Sequence, residues 1–314
     1  MGMMDRIEKQ ITGRGIGRIA VAAAHDDAVL MSLMPLYEKH LIQPTLIGDK
    51  EEIFRIADGL SMNLDGINII KETDDRRSAE IAVNLVGNGE ADIIMKGHLQ
   101  TAELLHAVLE KEKGLRTGNL LSHCGIYEVP GYHKLLLITD AGINIAPDLK
   151  QKMQIVQNAL SVMHSLEVER PKVAVLAAVE MVNPVMQATL DAAALAKMAQ
   201  RGQLGNCQVD GPLAMDNAIS LQAAKDKHIV SDVAGDADIL LVPDIEAGNI
   251  LVKAMVFLYQ ARSCGVITGA KVPLVVTSRA DSSDTKYNSI LLALAMMQGA
   301  QAKPDAEAAK DQRG

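Results

Sequence analysis

The stretch PLVVTSRADSSDTK, residues 273–286, decides the fold class. An apolar β-branched run passes directly into Ser278-Arg279 and a polar loop, and then into an amphipathic helical pattern beginning near Thr285. A strand that ends in a turn and feeds a helix is the unit from which α/β proteins are built. Residues 92–101, DIIMKGHLQT, repeat the design, with Lys96-Gly97 at the turn and Thr101 opening the helix. Working outward, short apolar runs recur at residues 19–24, 45–48, 67–70, 134–139, 172–178 and 238–243. Amphipathic stretches lie between them, at residues 26–40, 76–87, 101–113, 150–165, 185–200 and 248–262. Near-continuous apolar strands point to a mostly parallel sheet covered on both faces. Residues 127–134, with Pro130-Gly131 at the centre, read instead as a β-hairpin turn, which places one antiparallel pair within the parallel pattern.

The segment DAGINIAPD, residues 140–148, ends one strand and precedes a helix, and its small residues, Asn and Pro favour a chain reversal. A domain boundary is expected there. The final helix, residues 285–297, is too short to form a domain and should pack back on the first one, followed by a frayed polar tail.

Composition narrows the function. Of 314 residues, 48% are hydrophobic and 22% charged, so a sizeable core is expected. The net charge is −8 and neither half is basic, while Trp is absent and Phe and Tyr number only two and five. Nucleic-acid binders show a basic footprint, and single-strand readers add aromatic stacking platforms, so both classes are excluded. No apolar run approaches the ~18 residues of a membrane span. The N-terminus, MGMMDRIEKQ, lacks the basic-then-apolar order of a signal peptide. Cys124, Cys207 and Cys264 are widely spaced and read as buried free thiols of a cytoplasmic protein.

No Walker loop, nucleophile elbow or HExxH occurs. Gly13-Arg14-Gly15-Ile16-Gly17 precedes the first strand, whereas a dinucleotide fingerprint follows one. The scattered histidines have no carboxylate at ligand spacing, so no metal site is expected.

Four places carry chemistry. At 278–284, Arg279 can clamp a phosphate with its planar fork while Ser278 and Ser282 donate to its oxygens; the alternative is an N-capped helix with Arg279 paired to Asp281 or Asp284. At 96–101, Lys96 beside Gly97 lets a cation and a backbone approach an anion, or is a turn glycine beside a solvated lysine. Arg116 and Ser122 lie on the loop after the following helix. At 244–253, Gly248 and Asn249 suit a tight turn and cap, and Glu246 and Lys253 can form an ion pair.

Taken in order, five stretches resemble the phosphate acyltransferase family, the phosphotransacetylases and phosphotransbutyrylases. They are Met95-Lys96-Gly97 with Thr101, residues 139–148, Val209-Asp210-Gly211-Pro212-Leu213, Ile245-Glu246-Ala247-Gly248-Asn249 with Lys253, and residues 277–282. The resemblance runs from about Ile19 to Met297. It implies a two-domain isocitrate-dehydrogenase-like α/β fold with mostly parallel sheets and an active site in the interdomain cleft. Residues 1–145 plus 275–314 would form the first domain, and the inserted 146–274 the second, which would carry the interface of a homodimer or higher homo-oligomer.

The implied reaction is acyl-CoA plus phosphate to acyl phosphate plus CoA, with a short acetyl or butyryl group, small-molecule partners only and no bound cofactor. Arg279 would hold the phosphoryl group, and Ser278 would stabilise the transition state or leaving group. Lys96, Gly97, Thr101, Arg116, Ser122, Glu246, Gly248, Asn249, Lys253 and Ser282 would line the substrates. Acetyl-specific relatives carry an Asp that assists thiol deprotonation; ungapped alignment from Ser278 places Thr285 there, so Asp284, one residue earlier, is the candidate base. An arginine those relatives carry falls on His106. Both departures favour the phosphotransbutyrylase branch. Two alternatives stand beside it: a dehydrogenase-like enzyme on the same fold, which would need metal-binding acids and a nucleotide site not visible in the sequence, and a non-catalytic acyl-CoA-binding protein, against which the Ser278-Arg279 pair counts.

Overall fold

The computed structural model describes residue 2 and residues 4–13 and 15–311, with side chains described as far as Met297. In chain order the first elements are α1 (Asp5–Ile11), β1 (Gly17–Ala22), α2 (Asp27–Glu38), β2 (Ile42–Gly48), α3 (Lys50–Gly59), β3 (Asn68–Lys71), α4 (Asp75–Gly87), β4 (Ile93–Lys96) and α5 (Thr101–Val108). They are followed by β5 (Ser122–Glu128), β6 (Leu136–Thr139), α6 (Leu149–Ser165), β7 (Lys172–Leu176), α7 (Gln187–Gln200), β8 (Gln208–Leu213), α8 (Met215–Ile219), α9 (Leu221–Asp226), β9 (Ile239–Leu241) and α10 (Ile245–Phe257). The chain closes with β10 (Arg262–Thr268), β11 (Leu274–Val275) and α11 (Ser283–Asp311).

Two compact units result: an outer unit of Arg6–Asn119 and Cys264–Gly314, and an inner unit of Leu120–Ser263 with Met1–Asp5. The crossovers fall at 119/120 and 263/264, whereas the sequence reading sets them at 145/146 and 274/275. Strand pairing accounts for the difference. β5 and β6 form an antiparallel pair and β6 continues in parallel to β9, so both strands belong with the inner unit. β10 pairs antiparallel with β11, and its residues from Cys264 onward fall in the outer one.

Within the outer unit, β2 lies between β3 and β1, and β4 lies between β1 and β11, all paired in parallel. The chain therefore winds one way from β1 through β2 to β3, then returns to place β4 on the other side of β1. α2 begins at an N-cap: the Asp26 side chain accepts from the Val29 amide at 2.9 Å. Its Leu30, Leu33 and Leu36 are fully buried, as are Ile290, Leu292 and Leu294 of α11, which packs on α2. Each such side chain contributes roughly 1.5–3 kcal/mol by leaving water. α11 continues past Met297, where the sequence reading places a frayed tail, to Asp311; residues 312–314, like Arg14 of the glycine-rich stretch, lie outside the described residues.

The inner unit has parallel pairs β6 with β9, β9 with β7, and β7 with β8, and its hairpin connects β5 to β6 where Pro130-Gly131 stands. Cys124, Cys207 and Cys264 are buried and none is in a disulfide, and burial pushes the Cys124 thiol up to about 12. Among the described residues no helix is long and apolar enough to cross a membrane.

Candidate functional site

In open α/β sheets, ligands bind outside the carboxyl ends of the strands where the winding reverses. In the outer unit that place lies between β1 and β4, because β1 feeds the β2 side and β4 the other. The loop after β4 is held against the loop after β1: the Gly97 and His98 amides donate to the Ala22 and Ala23 carbonyls at 2.8 and 2.7 Å. A Cβ on Gly97 would lie 2.1 Å from the Ala23 oxygen, so only glycine allows this approach. It fixes Lys96, the last residue of β4, at the switch point.

Lys96 is 5% exposed, and its Nζ donates to the Gly97 and Leu99 carbonyls at 3.1 and 3.2 Å. Lys286, on α11, is 4% exposed, and its Nζ donates to the Thr277 hydroxyl and the Ser278 carbonyl at 3.1 and 3.2 Å. Among the described residues neither ammonium forms an ion pair, although buried charges are ordinarily paired. Burial pushes both lysines below their ordinary range. The charges of Lys286 and Arg279 push Lys96 further the same way, while Asp26 and Asp281 act against the shift on both lysines. Arg279 is exposed and makes no ion pair among the described residues.

Ser278 is held from several sides. Its amide donates to the Asp281 carboxylate at 2.7 Å, its carbonyl accepts from the Asp281 amide at 3.1 Å, and its Oγ accepts from the Ala280 amide at 3.3 Å. Asp281 is thus engaged with Ser278 and leaves Arg279 unpaired. The Ser282 hydroxyl accepts from the Thr285 amide at 3.2 Å and so caps the start of α11. Asp284 is exposed in the first turn of that helix, where a negative charge suits the helix dipole.

The remaining outer-unit candidates spread outward. Thr101 is the half-buried first residue of α5, and His106 is exposed in its last turn. α5 stops at Val108, not at 113, because the Glu110 carboxylate accepts the Glu112 and Lys113 amides at 2.8 and 2.6 Å and turns the chain. Arg116 is exposed and its backbone bridges to Ala270.

The inner unit carries a second group. Asp140, 2% exposed, accepts from the amides of Gly142, Ile143 and Asn144 at 2.9, 3.0 and 3.2 Å, and from the Asn144 side chain at 2.6 Å. Asn249 Nδ2 donates to the Ala141 carbonyl at 3.3 Å, and a Cβ on Gly248 would lie 3.0 Å from the Ala141 Cα. Gly248 and Asn249 therefore dock α10 on the Asp140 loop. Glu246 and Lys253 are both exposed and do not pair. Ser122 is fully buried, and its hydroxyl accepts from Asn158 at 2.8 Å, so it faces the inside of the unit. Among the described residues no group of three or more His, Cys, Asp or Glu can hold a metal ion.

Lys286 and Asp26 are absent from the sequence-derived site, and Asp281 enters it only as a partner for Arg279. Lys286 falls four residues after the capping Ser282, on the helix face that looks back toward the strand end. That spacing is the signal that could have found it.

The family model described as Phosphate acetyl/butaryl transferase matches residues 75–294. The chain belongs to this family. Among members, the phosphate butyryltransferase of Clostridium beijerinckii is 45% identical over 276 residues, covering 88% of this chain and 91% of that protein. The phosphate acetyltransferase of Thermotoga maritima is 44% identical over 289 residues, covering 92% and 98%. A solved branched-chain phosphotransacylase from Enterococcus faecalis V583 superposes with a TM-score of 0.78 at 32% identity, covering 89% of this chain and 98% of that one. Phosphate acetyl/butyryl transferases of both acyl specificities thus lie at nearly equal distance from the chain.

Proposed function

We propose that this phosphate acetyl/butyryl transferase moves a short acyl group between CoA and inorganic phosphate: acyl-CoA plus phosphate gives acyl phosphate plus CoA. The observation that carries the reading is the pair of buried lysines without carboxylate partners, with the unpaired Arg279 beside them, at the switch point of the outer unit. Such a cluster is costly unless an anion completes it. A compact phosphate does so: Arg279 offers a bidentate fork, and each ammonium has one N–H left after its two hydrogen bonds.

Acyl transfer passes through a tetrahedral oxyanion, and donors fixed in advance lower its energy. Ser278 Oγ already accepts from the Ala280 amide, so its own hydrogen is available to donate to that oxyanion or to the leaving group. The proposal also assigns to this seat the Gly97 backbone, Thr101 at the start of α5 and Ser282 at the start of α11.

The same proposal includes the isocitrate-dehydrogenase-like class for the two α/β units, substrates without a bound cofactor, and a homo-oligomer. Exposed Met181, Val182, Val185 and Val230 on the inner unit support self-association. Three buried reduced thiols support a cytoplasmic setting.

The test is Arg279→Ala in a phosphate-dependent assay of CoA release from acetyl-CoA and butyryl-CoA. The reading expects phosphate use to weaken by at least a hundredfold, about 2.7 kcal/mol. Unchanged phosphate kinetics reject the seat. Tight CoA binding without turnover by the unaltered protein would instead favour the non-catalytic reading.

A further inference from the structure

We propose that Lys96 is the proton-transfer group for the CoA thiol, taking the S–H proton as sulfur attacks the acyl carbonyl and returning it in the opposite direction. The proposal rests on the acyl-transfer reading and supplies the base that it lacks.

The geometry of the Lys96 nitrogen carries the inference. A tetrahedral Nζ has four directions: one is Cε, and two are taken by the Gly97 and Leu99 carbonyls at 3.1 and 3.2 Å. Carbonyls only accept, so both bonds use N–H groups whichever protonation state the lysine holds. The fourth direction is a lone pair in the amine and an N–H in the ammonium. The same side chain, without moving, can accept a proton in one state and donate a hydrogen bond in the other.

Its surroundings favour exchange between the two states. The charged groups that face it are Lys286 from α11, Arg279 and Asp281 from the loop after β11, and Asp26 from the loop after β1. Burial and the two cations disfavour the ammonium, the two carboxylates favour it, and none of them bonds to Nζ and locks the proton in place. An ordinary thiol has a pKa near ~8.5, and a base works best when its own pKa lies near the working pH. Asp284 is exposed in the first turn of α11, and the Thr285 hydroxyl is no base.

The step balances. The Lys96 lone pair takes the thiol proton, the S–H electrons form the bond from sulfur to the acyl carbon, and the carbonyl π electrons move onto oxygen. Collapse of that oxyanion breaks the bond from carbon to the phosphoryl oxygen, and phosphate leaves with the electron pair. Lys96, now an ammonium, offers its fourth direction as a donor to the departing phosphate, to which or to solvent the proton passes.

Lys96→Arg separates this role from simple anion binding, because arginine keeps the charge but does not lose its proton. The rate of acyl-CoA formation from acyl phosphate and CoA is measured from pH 6 to 10 for both proteins. The expected result is a loss of at least a hundredfold at pH 7, with the variant's rate climbing toward the thiol's own pKa near ~8.5, since only free thiolate then reacts.

A variant with the wild-type profile, changed only in its KM for acyl phosphate, overturns the inference. A measurement on the unaltered protein guards against a variant that fails to fold: pH-dependent amine acylation, read by mass spectrometry, at Lys96 against the exposed Lys111. A lower half-reaction pH at Lys96 is expected, and equal values overturn the inference. Absence of any turnover by the wild type overturns the acyl-transfer reading itself, whereas turnover with an unchanged profile in the variant overturns the role of Lys96 alone.

Discussion

The Lys286 ammonium donates to the carbonyl oxygen of Ser278 at 3.2 Å, which ties the final helix to the turn that presents Ser278 and Arg279. One side chain thus stands in two relations at once. It braces the turn through the Thr277 hydroxyl and the Ser278 carbonyl, and it brings a buried positive charge to the seat where an anion is expected.

Lys286→Met tests that double relation, because methionine fills nearly the same volume without the charge. Steady-state kinetics should show phosphate KM raised at least tenfold, about 1.4 kcal/mol, with kcat also lowered. Thermal unfolding should show Tm held or raised, since an unpaired buried charge has been removed. Loss of activity together with a collapse of Tm would reduce Lys286 to a purely structural role.

Asp140 organises its loop in the inner unit by accepting three backbone amides and the Asn144 side chain. Asp140→Ala leaves those buried donors without an acceptor, and stability should fall by about 3 kcal/mol. Urea unfolding of wild type, Asp140→Ala and Asp140→Asn checks it, with the asparagine variant intermediate because one acceptor oxygen remains. A change below about 0.5 kcal/mol for alanine would refute the assignment.

Asp236 provides a pH dependence. Burial opposes its ionisation, but Lys172 at 2.6 Å, Lys134 at 2.9 Å and His133 at 2.7 Å outweigh that and hold its carboxyl well below the usual carboxylate range. A depressed carboxyl pKa stabilises the fold above the unfolded value near ~4 and ceases to do so as pH falls through the folded value. The gap in unfolding free energy between wild type and Asp236→Asn should be full at pH 7, about 1 kcal/mol after solvent screening, and shrink steadily below pH 4. A gap that stays constant from pH 7 to pH 3 contradicts the assignment.

Legibility in the sequence followed chemistry that is local. β1, β4, β6, β7 and β9 stand where apolar runs predict strands, and Pro130-Gly131 marks the β5–β6 hairpin of the inner unit. β8, QVDGPL, carries Asp, Gly and Pro and is half-buried over most of its length, so its strand character comes from pairing with β7. β10, RSCGVIT, begins polar and is placed by its partner β11. β11 itself keeps only Leu274–Val275 in the ladder, because the chain bends away toward the Ser278 turn.

The site follows the same division. Lys96 and Arg279 were recognisable because turn chemistry and strand ends are written in adjacent residues. Lys286 was not, because a lysine within a helix reads as solvated until it is known which face docks, and docking is a long-range property of the packed unit. Ser122 shows the converse: a loop serine in the sequence became a buried strand residue once β5 paired with β6.

The central claim is tested most directly by one assay on the unaltered protein: free-thiol release from a panel of acyl-CoA esters of two to five carbons, with and without inorganic phosphate. The account predicts that CoA is released only when phosphate is present, in amounts equal to the acyl phosphate trapped as its hydroxamate, for at least one ester. Release that ignores phosphate, or none for any chain length, would contradict it.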